Sequence, residues 1–280
     1  MPSFDSPEPI SVTAYVYAGS LRLTATDRRD TVVEVRPLDP KKDRDVRAAD
    51  RTEVTYEEGV LTVTTPKANP LGRGGAVDVA VELPTGSGID VTGAGVNVIG
   101  EGRLGEVAVK TTAGDVRLDT TGPLRLNAPH GSSTIDRVEG MAAITGSTGN
   151  LRVGLVDGPA VLKNSHGTTT VRAVTGELRV SGTTGGIDVG RAEASVVGTT
   201  THGPLRVGEV ACGNIRLETS NGPIEVGVRE GVDAWLDVNS NRGQVRVALT
   251  AHELPERAEN TVTIRARTNW GNIDVLRAEV

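Results

Sequence analysis

Apolar and polar residues alternate in short runs along most of the chain. From Gly105 onward the runs follow the pattern Gly-x-apolar-x-apolar, most of them with a polar residue between the two apolar ones, as in Gly114-Asp-Val-Arg-Leu118. Successive side chains of a β-strand point to opposite faces, so each run predicts a short strand with one apolar face. The sequence therefore predicts an all-β protein without a long helix.

The runs recur at a nearly constant distance. Most consecutive glycines in the series, such as those at 131, 140, 149 and 158, are nine residues apart. Self-similarity at a fixed period is typical of stacked repeat architectures. The runs begin at Gly105, Gly114, Gly122, Gly131, Gly140, Gly149, Gly158, Gly167, Gly176, Gly185, Gly203, Gly213, Gly222 and Gly243.

Two kinds of run alternate. One kind continues to a small apolar residue such as Val138 or Val156, and the other leads into a hydroxyl-rich corner, as at Ser147 and Ser165. The full period is therefore two runs, or about 18 residues, with two strands in each turn. This pattern predicts a flattened β-solenoid of about eight turns, with glycines at corners where the backbone needs a positive φ or a close approach.

The two ends of the chain differ from the repeat. Residues 1–84 have longer alternating runs around a charged loop at 39–46, and they are predicted to form an antiparallel β-sandwich-like cap. Residues 85–280 are predicted to form the solenoid. A polar insertion at 251–259 is expected to hold one helical turn, and strands at 262–265 and 271–275 are expected to close the end.

Composition agrees with thin, tightly turning layers. The chain of 280 residues has 35 glycines and only six aromatic residues. Few rings argue against a nucleic-acid binder that stacks bases and against an aromatic-lined sugar cleft. A net charge of −6 without long basic runs also argues against nucleic acid and anionic membranes. No apolar stretch is long enough to span a bilayer and no leader precedes the first run, so the expected location is cytoplasmic.

The N-terminal segment Thr31-Val-Val-Glu-Val-Arg-Pro-Leu-Asp-Pro40, followed by repeated Thr/Ser-x-Gly-x-Ile/Leu-x-Val units, resembles a bacterial β-strand-repeat family. This family is the "putative adhesin" family, domain of unknown function 4097, and the chain is similar to its soluble actinobacterial members. The resemblance covers essentially the whole chain. It implies a β-solenoid with no established chemistry and supplies no catalytic residues. Some relatives are membrane-linked, whereas this sequence has no membrane segment.

The side chains between the apolar positions are the candidates for binding. Arginines recur there and are expected to make part of the outer face basic, which suits an acidic macromolecular partner. Three histidines, each two periods from the next and each before a corner glycine, form a second candidate edge for a repetitive ligand, although turn-compatible solvated residues are the simpler interpretation. The candidate binding residues are Arg117, Arg152, Arg206, His130, His166 and His202, and the other arginines of the set are Arg125, Arg179, Arg216 and Arg246.

Other candidate chemistry is weaker. Glu139 and Asp157 would lie about 5 Å apart on adjacent turns, the separation found in retaining glycosidases, but exposed corner charges are the simpler interpretation. Cys212 has no base in its register and is interpreted as a small corner residue. The corners lack the aspartates of calcium-binding β-rolls. No metal and no cofactor are therefore expected.

These observations predict a non-enzymatic binding or scaffold protein with a regular charged face for a protein or polymer partner. Two alternatives stay open. The solenoid ends could stack and make the chain a self-assembling structural protein, or the Glu139 and Asp157 carboxylates could act on a polysaccharide.

Overall fold

The computed structural model describes residues 2–67, 74–249 and 261–278. These residues form 25 strands and a single short helix. Most strands pair in parallel with the strand two positions along the chain, which is the arrangement of a solenoid with two strands per turn. The predicted all-β solenoid is therefore confirmed.

The contacts between residues divide the chain into two compact units. Unit 1 comprises residues 1–139 and 144–146, and unit 2 comprises residues 140–143 and 147–280. This division follows contact density, and the boundary between residues 84 and 85 that the sequence suggests stays a prediction.

The secondary structure of unit 1 is β1 (Ser3–Asp5), β2 (Ser11–Thr26), β3 (Asp30–Pro37), α1 (Asp43–Asp50), β4 (Glu53–Glu57), β5 (Val60–Thr64), β6 (Val77–Pro84), β7 (Gly88–Arg103), β8 (Val107–Ala113), β9 (Val116–Thr121), β10 (Leu124–His130) and β11 (Ser133–Glu139).

The first strands of unit 1 combine antiparallel and parallel pairing. The predicted antiparallel pairs are present as β1–β3, β3–β6 and β4–β5. The long strand β2, however, pairs in parallel with β5, β6 and β7. Because β2 and β7 stay in register from residue 11 to residue 24 of β2, the N-terminal region continues the parallel stack.

The solenoid of unit 1 grows from β7. The first half of β7 pairs with β8 and its second half with β9, so this one long strand provides both strand positions of a turn. The stack continues as β8–β10 and β9–β11. Val107 lies beside Leu124 and Val116 beside Ser133, so these turns are one residue shorter than the predicted period.

Helix α1 lies where the sequence predicts a charged loop. Its first turn carries Asp43 and Asp45, which suit the positive end of the helix dipole. The side chain of Asp45 is buried and accepts a hydrogen bond of 3.0 Å from the backbone N–H of Ala76. The helix is short, and Val46, Ala48 and Ala49 are its only apolar residues, so its apolar pattern is too brief for the sequence to reveal it.

Strand β12 (Ala142–Thr148) has residues in both units. The strands that belong wholly to unit 2 are β13 (Leu151–Asp157), β14 (Ala160–His166), β15 (Thr169–Val174), β16 (Leu178–Thr184), β17 (Ile187–Ala192), β18 (Val196–His202), β19 (Leu205–Val210), β20 (Gly213–Asn221), β21 (Ile224–Val228), β22 (Asp233–Arg242), β23 (Val245–Ala248), β24 (Thr261–Trp270) and β25 (Ile273–Arg277).

These strands form two parallel ladders. The even ladder contains β14, β16, β18, β20, β24 and β22, and the odd ladder contains β13, β15, β17, β19, β21, β25 and β23. Leu151, Thr169, Ile187 and Leu205 are aligned at the predicted period, and the next step, to Ile224, is one residue longer. The predicted period is thus correct for most of this unit.

The order of the last strands differs from the expectation. The segments 262–265 and 271–275 do not close the end of the solenoid, because β24 lies between β20 and β22 and β25 lies between β21 and β23. The outermost described turn is therefore β22 and β23. The helical turn expected at 251–259 lies outside the described residues.

Aliphatic side chains from both ladders fill the core of unit 2. Leu178 and Leu217 of the even ladder and Leu205 and Ile224 of the odd ladder are almost fully buried. A Cβ at Gly198 in the even ladder would lie 4.0 Å from Leu205 Cδ2, so the two ladders meet closely. This thin core leaves little room for aromatic rings.

The corner glycines are required by backbone geometry. Gly167 has a φ of 127°, and a Cβ there would lie 2.0 Å from the carbonyl oxygen of Gly149. Gly176, at a corner of the other kind, has no positive φ, but a Cβ would lie 2.5 Å from the carbonyl carbon of Gly158. Gly167 therefore needs both the conformation and the space, whereas Gly176 needs only the space.

Candidate functional site

The repeated arginines project from both ladders. In unit 2, Arg152 and Arg206 stand on the outer side of the odd ladder, whereas Arg179 and Arg216 stand on the even ladder. In unit 1, Arg117 lies on β9. The arginines therefore do not form a single basic face, because runs nine residues apart enter opposite ladders.

Charges alternate along the outer side of the odd ladder. Arg152, Thr170, Asp188, Arg206 and Glu225 occupy one register line across five consecutive strands. The side chain of Arg206 bonds to Glu225 at 2.9 Å and approaches Asp188 at 3.5 Å. The hydrogen bond to Glu225 is the main reason why the pKa of the Arg206 guanidinium lies above its ordinary value. The line is regular and nearly neutral around Arg206.

Two arginines on this ladder have no partner among the residues that the structure describes. Arg152 and Arg172 are exposed and lie on neighbouring strands. Beside Arg172, the next strand carries Gly190, which packs closely against the Arg172 carbonyl. Because glycine has no side chain, Gly190 does not cover the exposed Arg172. Arg117 of unit 1 is likewise exposed.

The other repeated arginines are more often paired. Arg125 bonds to Glu106 at 2.7 Å in unit 1, and Arg216 bonds to Glu218 at 2.8 Å in unit 2. Arg246 of β23 donates a hydrogen bond of 3.0 Å to Gln244. Arg179 is exposed and has no partner within the described part of the chain. Pairing leaves these surfaces with less free positive charge than the sequence pattern suggests.

The three candidate histidines end even-numbered strands, each just before a corner glycine. In unit 2, His166, Thr184 and His202 follow one another in register, as the sequence predicts. The ring Nδ1 of His166 lies 2.9 Å from the hydroxyl of Thr184. The line continues to Asn221 and then to Trp270. His130 ends β10 in unit 1.

The two carboxylates considered for polysaccharide chemistry belong to different units. In unit 1, Glu139 is held by Arg103 at 2.8 Å. In unit 2, Asp157 accepts a hydrogen bond of 3.1 Å from the hydroxyl of Thr175. An ion pair and a hydroxyl contact are the ordinary surroundings of corner side chains.

A cluster of ion pairs lies at a corner of unit 2. Arg229 bonds to Glu193 at 3.0 Å and to Glu209 at 2.5 Å, and Arg191 bonds to Glu193 at 2.6 Å. Arg229 is the main cause of the lowered pKa of the Glu193 carboxyl. The repeat pattern does not reveal this cluster, because Arg229 follows the Gly222 run outside the repeated positions. The sequence signal that could have indicated the cluster is the opposite charge of Arg191 and Glu209, which are one period apart and lie side by side on adjacent strands.

Cys212 occupies the corner before β20. Its thiol is exposed and donates a hydrogen bond of 3.0 Å to the carbonyl oxygen of Glu193. Among the described residues, no ring nitrogen or carboxylate that could act as a base forms a hydrogen bond with this thiol. Within residues 2–67, 74–249 and 261–278, no group of His, Cys, Asp and Glu side chains is placed to hold a metal ion.

A cleft of about 1100 Å³ opens beside β2 in unit 1. It lies beside the part of β2 between the residues that pair with β5 and the residues that pair with β6. Two of the chain's aromatic residues, Tyr15 and Tyr17, line it. Tyr15 is half exposed. The sequence pattern does not indicate a tyrosine-lined cleft, because the cleft depends on an interruption in the pairing of β2.

The described helix is too short and too polar to cross a membrane, and no other helix occurs in the described ranges. Among proteins with curated descriptions, none matches this sequence.

Solved structures that match this chain over nearly its whole length include three from bacteria. A "putative cell adhesion protein" from Clostridium sporogenes is 10% identical, with 99% of this chain and 98% of that chain aligned and a TM-score of 0.22. A "putative adhesin" from Bacteroides fragilis is 13% identical over 98% and 95% of the chains, with a TM-score of 0.41. A "putative adhesin" from Parabacteroides distasonis is 10% identical over 98% and 95%, with a TM-score of 0.37.

The sequence profile that describes the Toastrack DUF4097 family matches residues 15–276, which is nearly the whole chain. The matched range includes most of the parallel pairing of β2 with β7 and both ladders of unit 2. The protein belongs to the Toastrack DUF4097 family, in agreement with the resemblance of its repeats.

Proposed function

We propose that the protein is a non-enzymatic binding module whose odd ladder in unit 2 presents a regular charged surface to an acidic macromolecular partner. The observation that carries the proposal is the pair of exposed guanidinium groups of Arg152 and Arg172 on adjacent parallel strands, neither with a partner among the described residues. Arg206 continues the surface within an ordered set of ion pairs. The cytoplasmic location and the soluble actinobacterial type stay predictions of the sequence.

A rigid surface of this kind suits recognition better than catalysis. Parallel strands fix the spacing of the side chains at about 4.8 Å from strand to strand. Guanidinium groups bind carboxylates and phosphates in a two-pronged geometry and stay charged at all physiological pH values. The arginines are therefore assigned to binding, and no residue is assigned to chemistry.

The test uses charge reversal on one ladder and a matched control on the other. Two anionic polymers, poly-L-glutamate and polyphosphate, would be titrated against the wild type and against an Arg152→Glu/Arg172→Glu variant. The control, Lys163→Glu/Arg179→Glu, changes the net charge equally on the even ladder. We expect a loss of affinity of about tenfold or more for the first variant only. Equal affinity of both variants for each polymer would contradict the proposal.

The outermost described turn of unit 2 supports a second candidate, self-association. Val245 and Val247 of β23 are 42% and 48% exposed, whereas their register neighbours Ile273 and Val275 are buried. A strand edge with exposed apolar residues favours pairing with another chain. Sedimentation at several concentrations would test it, with Val247→Lys as the variant that should restore the monomer. A wild type that stays monomeric at all concentrations would remove this candidate.

A further inference from the structure

The outer side of the last strands of the even ladder carries a groove that the proposed function does not use. It has a volume of about 450 Å³ and is lined by residues of β18, β20, β24 and β22. Thr199, Glu218, Arg267 and Asn239 lie in one register line across these four strands. The groove therefore crosses the strands and presents one polar side chain per strand.

Planar amides line one side of the groove. Asn241 donates a hydrogen bond of 2.8 Å from Nδ2 to Oδ1 of Asn269, and Asn239 donates a longer one of 3.4 Å to Oδ1 of Asn241. This chain of bonds orients all three side chains. The Nδ2 group of Asn269 has no acceptor among the described residues. Amide groups can donate and accept at the same time, as required to bind hydroxyl groups.

Both tryptophans of the chain belong to the strands that form this groove. Trp235 precedes Asn239 on the same side of β22, and Trp270 directly follows Asn269 at the corner. Trp235 is 66% exposed and Trp270 is 53% exposed, unusual values for a large ring. Trp270 is held in place by Arg242, whose guanidinium carbon lies 4.3 Å from the ring centroid. An exposed indole with a fixed position offers an apolar platform beside polar groups.

The charged groups in and around the groove neutralise one another. Arg267 donates two hydrogen bonds of 2.8 Å to the carboxylate of Asp237. Glu218 is paired with Arg216 at 2.8 Å. With these charges paired, the groups that the groove leaves to a ligand are amides and hydroxyls. This combination fits a polyhydroxylated ligand without charge and offers little to an anion.

We infer that the groove lined by Asn239, Asn241 and Asn269 binds a neutral oligosaccharide. The amides of these three residues would bond to sugar hydroxyls, and Trp270, which directly follows Asn269, would stand at the edge of the bound sugar. The strands carrying these side chains are about 4.8 Å apart, so neighbouring polar groups suit successive sugar units. This site is separate from the charged surface of the odd ladder and does not depend on it.

The overall scarcity of rings argues against a cleft lined by many aromatic residues, but it does not oppose a site with one indole. Composition counts residues over the whole chain, whereas the fold places both tryptophans on the adjacent strands β22 and β24. Most of the contacts to the ligand would come from amides and hydroxyls. The inferred site is therefore a polar groove with one indole next to it along the chain.

The experiment monitors selectively excited tryptophan fluorescence during titration with neutral tetrasaccharides. The probes are cellotetraose, maltotetraose, mannotetraose and chitotetraose, with isothermal calorimetry as the second measurement. We expect saturable binding of at least one probe that is unchanged between low and high salt. Asn241→Ala/Asn269→Ala is expected to weaken binding about tenfold, because hydrogen bonds to the sugar are lost. Trp235→Phe should keep the fluorescence response, since Trp270 directly follows the lining residue Asn269 whereas Trp235 is four residues away from Asn239.

Two controls make the outcome decisive. Asn127→Ala removes an exposed asparagine from β10 in unit 1 and should bind the sugar as the wild type does. The Arg152→Glu/Arg172→Glu variant should also bind it normally, which separates a failure of this site from a failure of the proposed function. Binding of none of the four probes overturns the inference. Preference for an anionic tetrasaccharide, with affinity that falls as salt rises, overturns it as well.

Discussion

The side-chain amide of Asn164 donates a hydrogen bond of 3.0 Å to the carbonyl oxygen of Gly149, which lies at the corresponding corner one turn earlier. Asn164 is only 3% exposed. Equivalent bonds run from Thr219 to Gly203 and from Thr268 to Gly222. The polar side chains near these corners therefore join successive turns, a role that the hydroxyl-rich positions of the repeat do not reveal by themselves.

Replacing Asn164 by alanine should lower the free energy of unfolding by about 1–3 kcal/mol, because the Gly149 carbonyl then loses its buried donor. Urea unfolding followed by circular dichroism measures the change. The exposed Asn127→Ala variant should stay within about 0.5 kcal/mol of the wild type. Asn164→Thr should recover part of the loss, since threonine makes the same bond at Thr219. Equal stability of the Asn164→Ala variant and the wild type would show that the bond contributes nothing.

Gly167→Ala should destabilise the protein by ~1–3 kcal/mol through backbone strain alone, and the clash with Gly149 adds to that loss. Thermal unfolding would show a lower midpoint. Gly95→Ala is the matched control, because Gly95 has no positive φ and a Cβ there would meet no atom within 4 Å. A Gly167→Ala midpoint equal to that of the wild type would mean that this corner tolerates a side chain.

The strand order at the end of unit 2 predicts unequal effects of two similar truncations. Ile264 of β24 is fully buried between β20 and β22, so Ile264→Ala should cost about 2–5 kcal/mol. Leu236 of β22, its register neighbour, is only half-buried on the outermost described turn, so Leu236→Ala should cost distinctly less. Chemical denaturation of both variants gives the comparison. The reverse order would indicate that β24 is the outer strand.

The ion pairs of Glu193 predict how stability depends on pH. Because bonding to Arg229 lowers the pKa of the folded-state carboxyl below its ordinary value of 4.5, the contribution is present above that value and disappears as the pH falls through the lowered pKa. Glu193→Gln should therefore be less stable than the wild type at pH 7 and equally stable in strong acid. Urea unfolding between pH 2 and pH 7 measures this difference.

The control for this prediction is Glu177→Gln. Glu177 is exposed on the same unit and has no ion-pair partner among the described residues. Its substitution should change the free energy of unfolding only slightly, and by the same amount at every pH. A gap between Glu193→Gln and the wild type that persists in strong acid would assign the effect to packing and not to charge.

Most of the fold could be predicted from the period of the repeat. Glycines spaced by nine residues marked the corners, and alternation placed Leu205 and Val207 inside and Arg206 outside, as the structure shows. The same period also implies that runs nine residues apart enter different ladders. That consequence is enough to separate Arg152 from Arg179, although the shared Gly-x-apolar-Arg-apolar pattern suggested one basic face.

Other features depend on pairings that a single sequence does not encode. The positions of β24 and β22 could be exchanged without changing the apolar pattern of either strand, so their order is set by packing. The groove beside Asn241 and Asn269 results from this order, since it brings residues 28 positions apart into hydrogen-bond contact. The ion pairs of Arg229 likewise span 20 and 36 residues.

The placement of β24 between β20 and β22 also affects the order in which these strands can pair as the chain is synthesised. Strands β22 and β23 leave the ribosome before the strands that receive them, β24 and β25, have been made. At synthesis rates of about 5–20 residues per second, this interval lasts roughly a few seconds. During that interval β20 and β21 lack their final neighbours. Strands β24 and β25 must pair beside them once they have been made. Assembly of this region is therefore not a simple continuation of synthesis, because β22 and β23 meet their final neighbours only after β24 and β25 have been made.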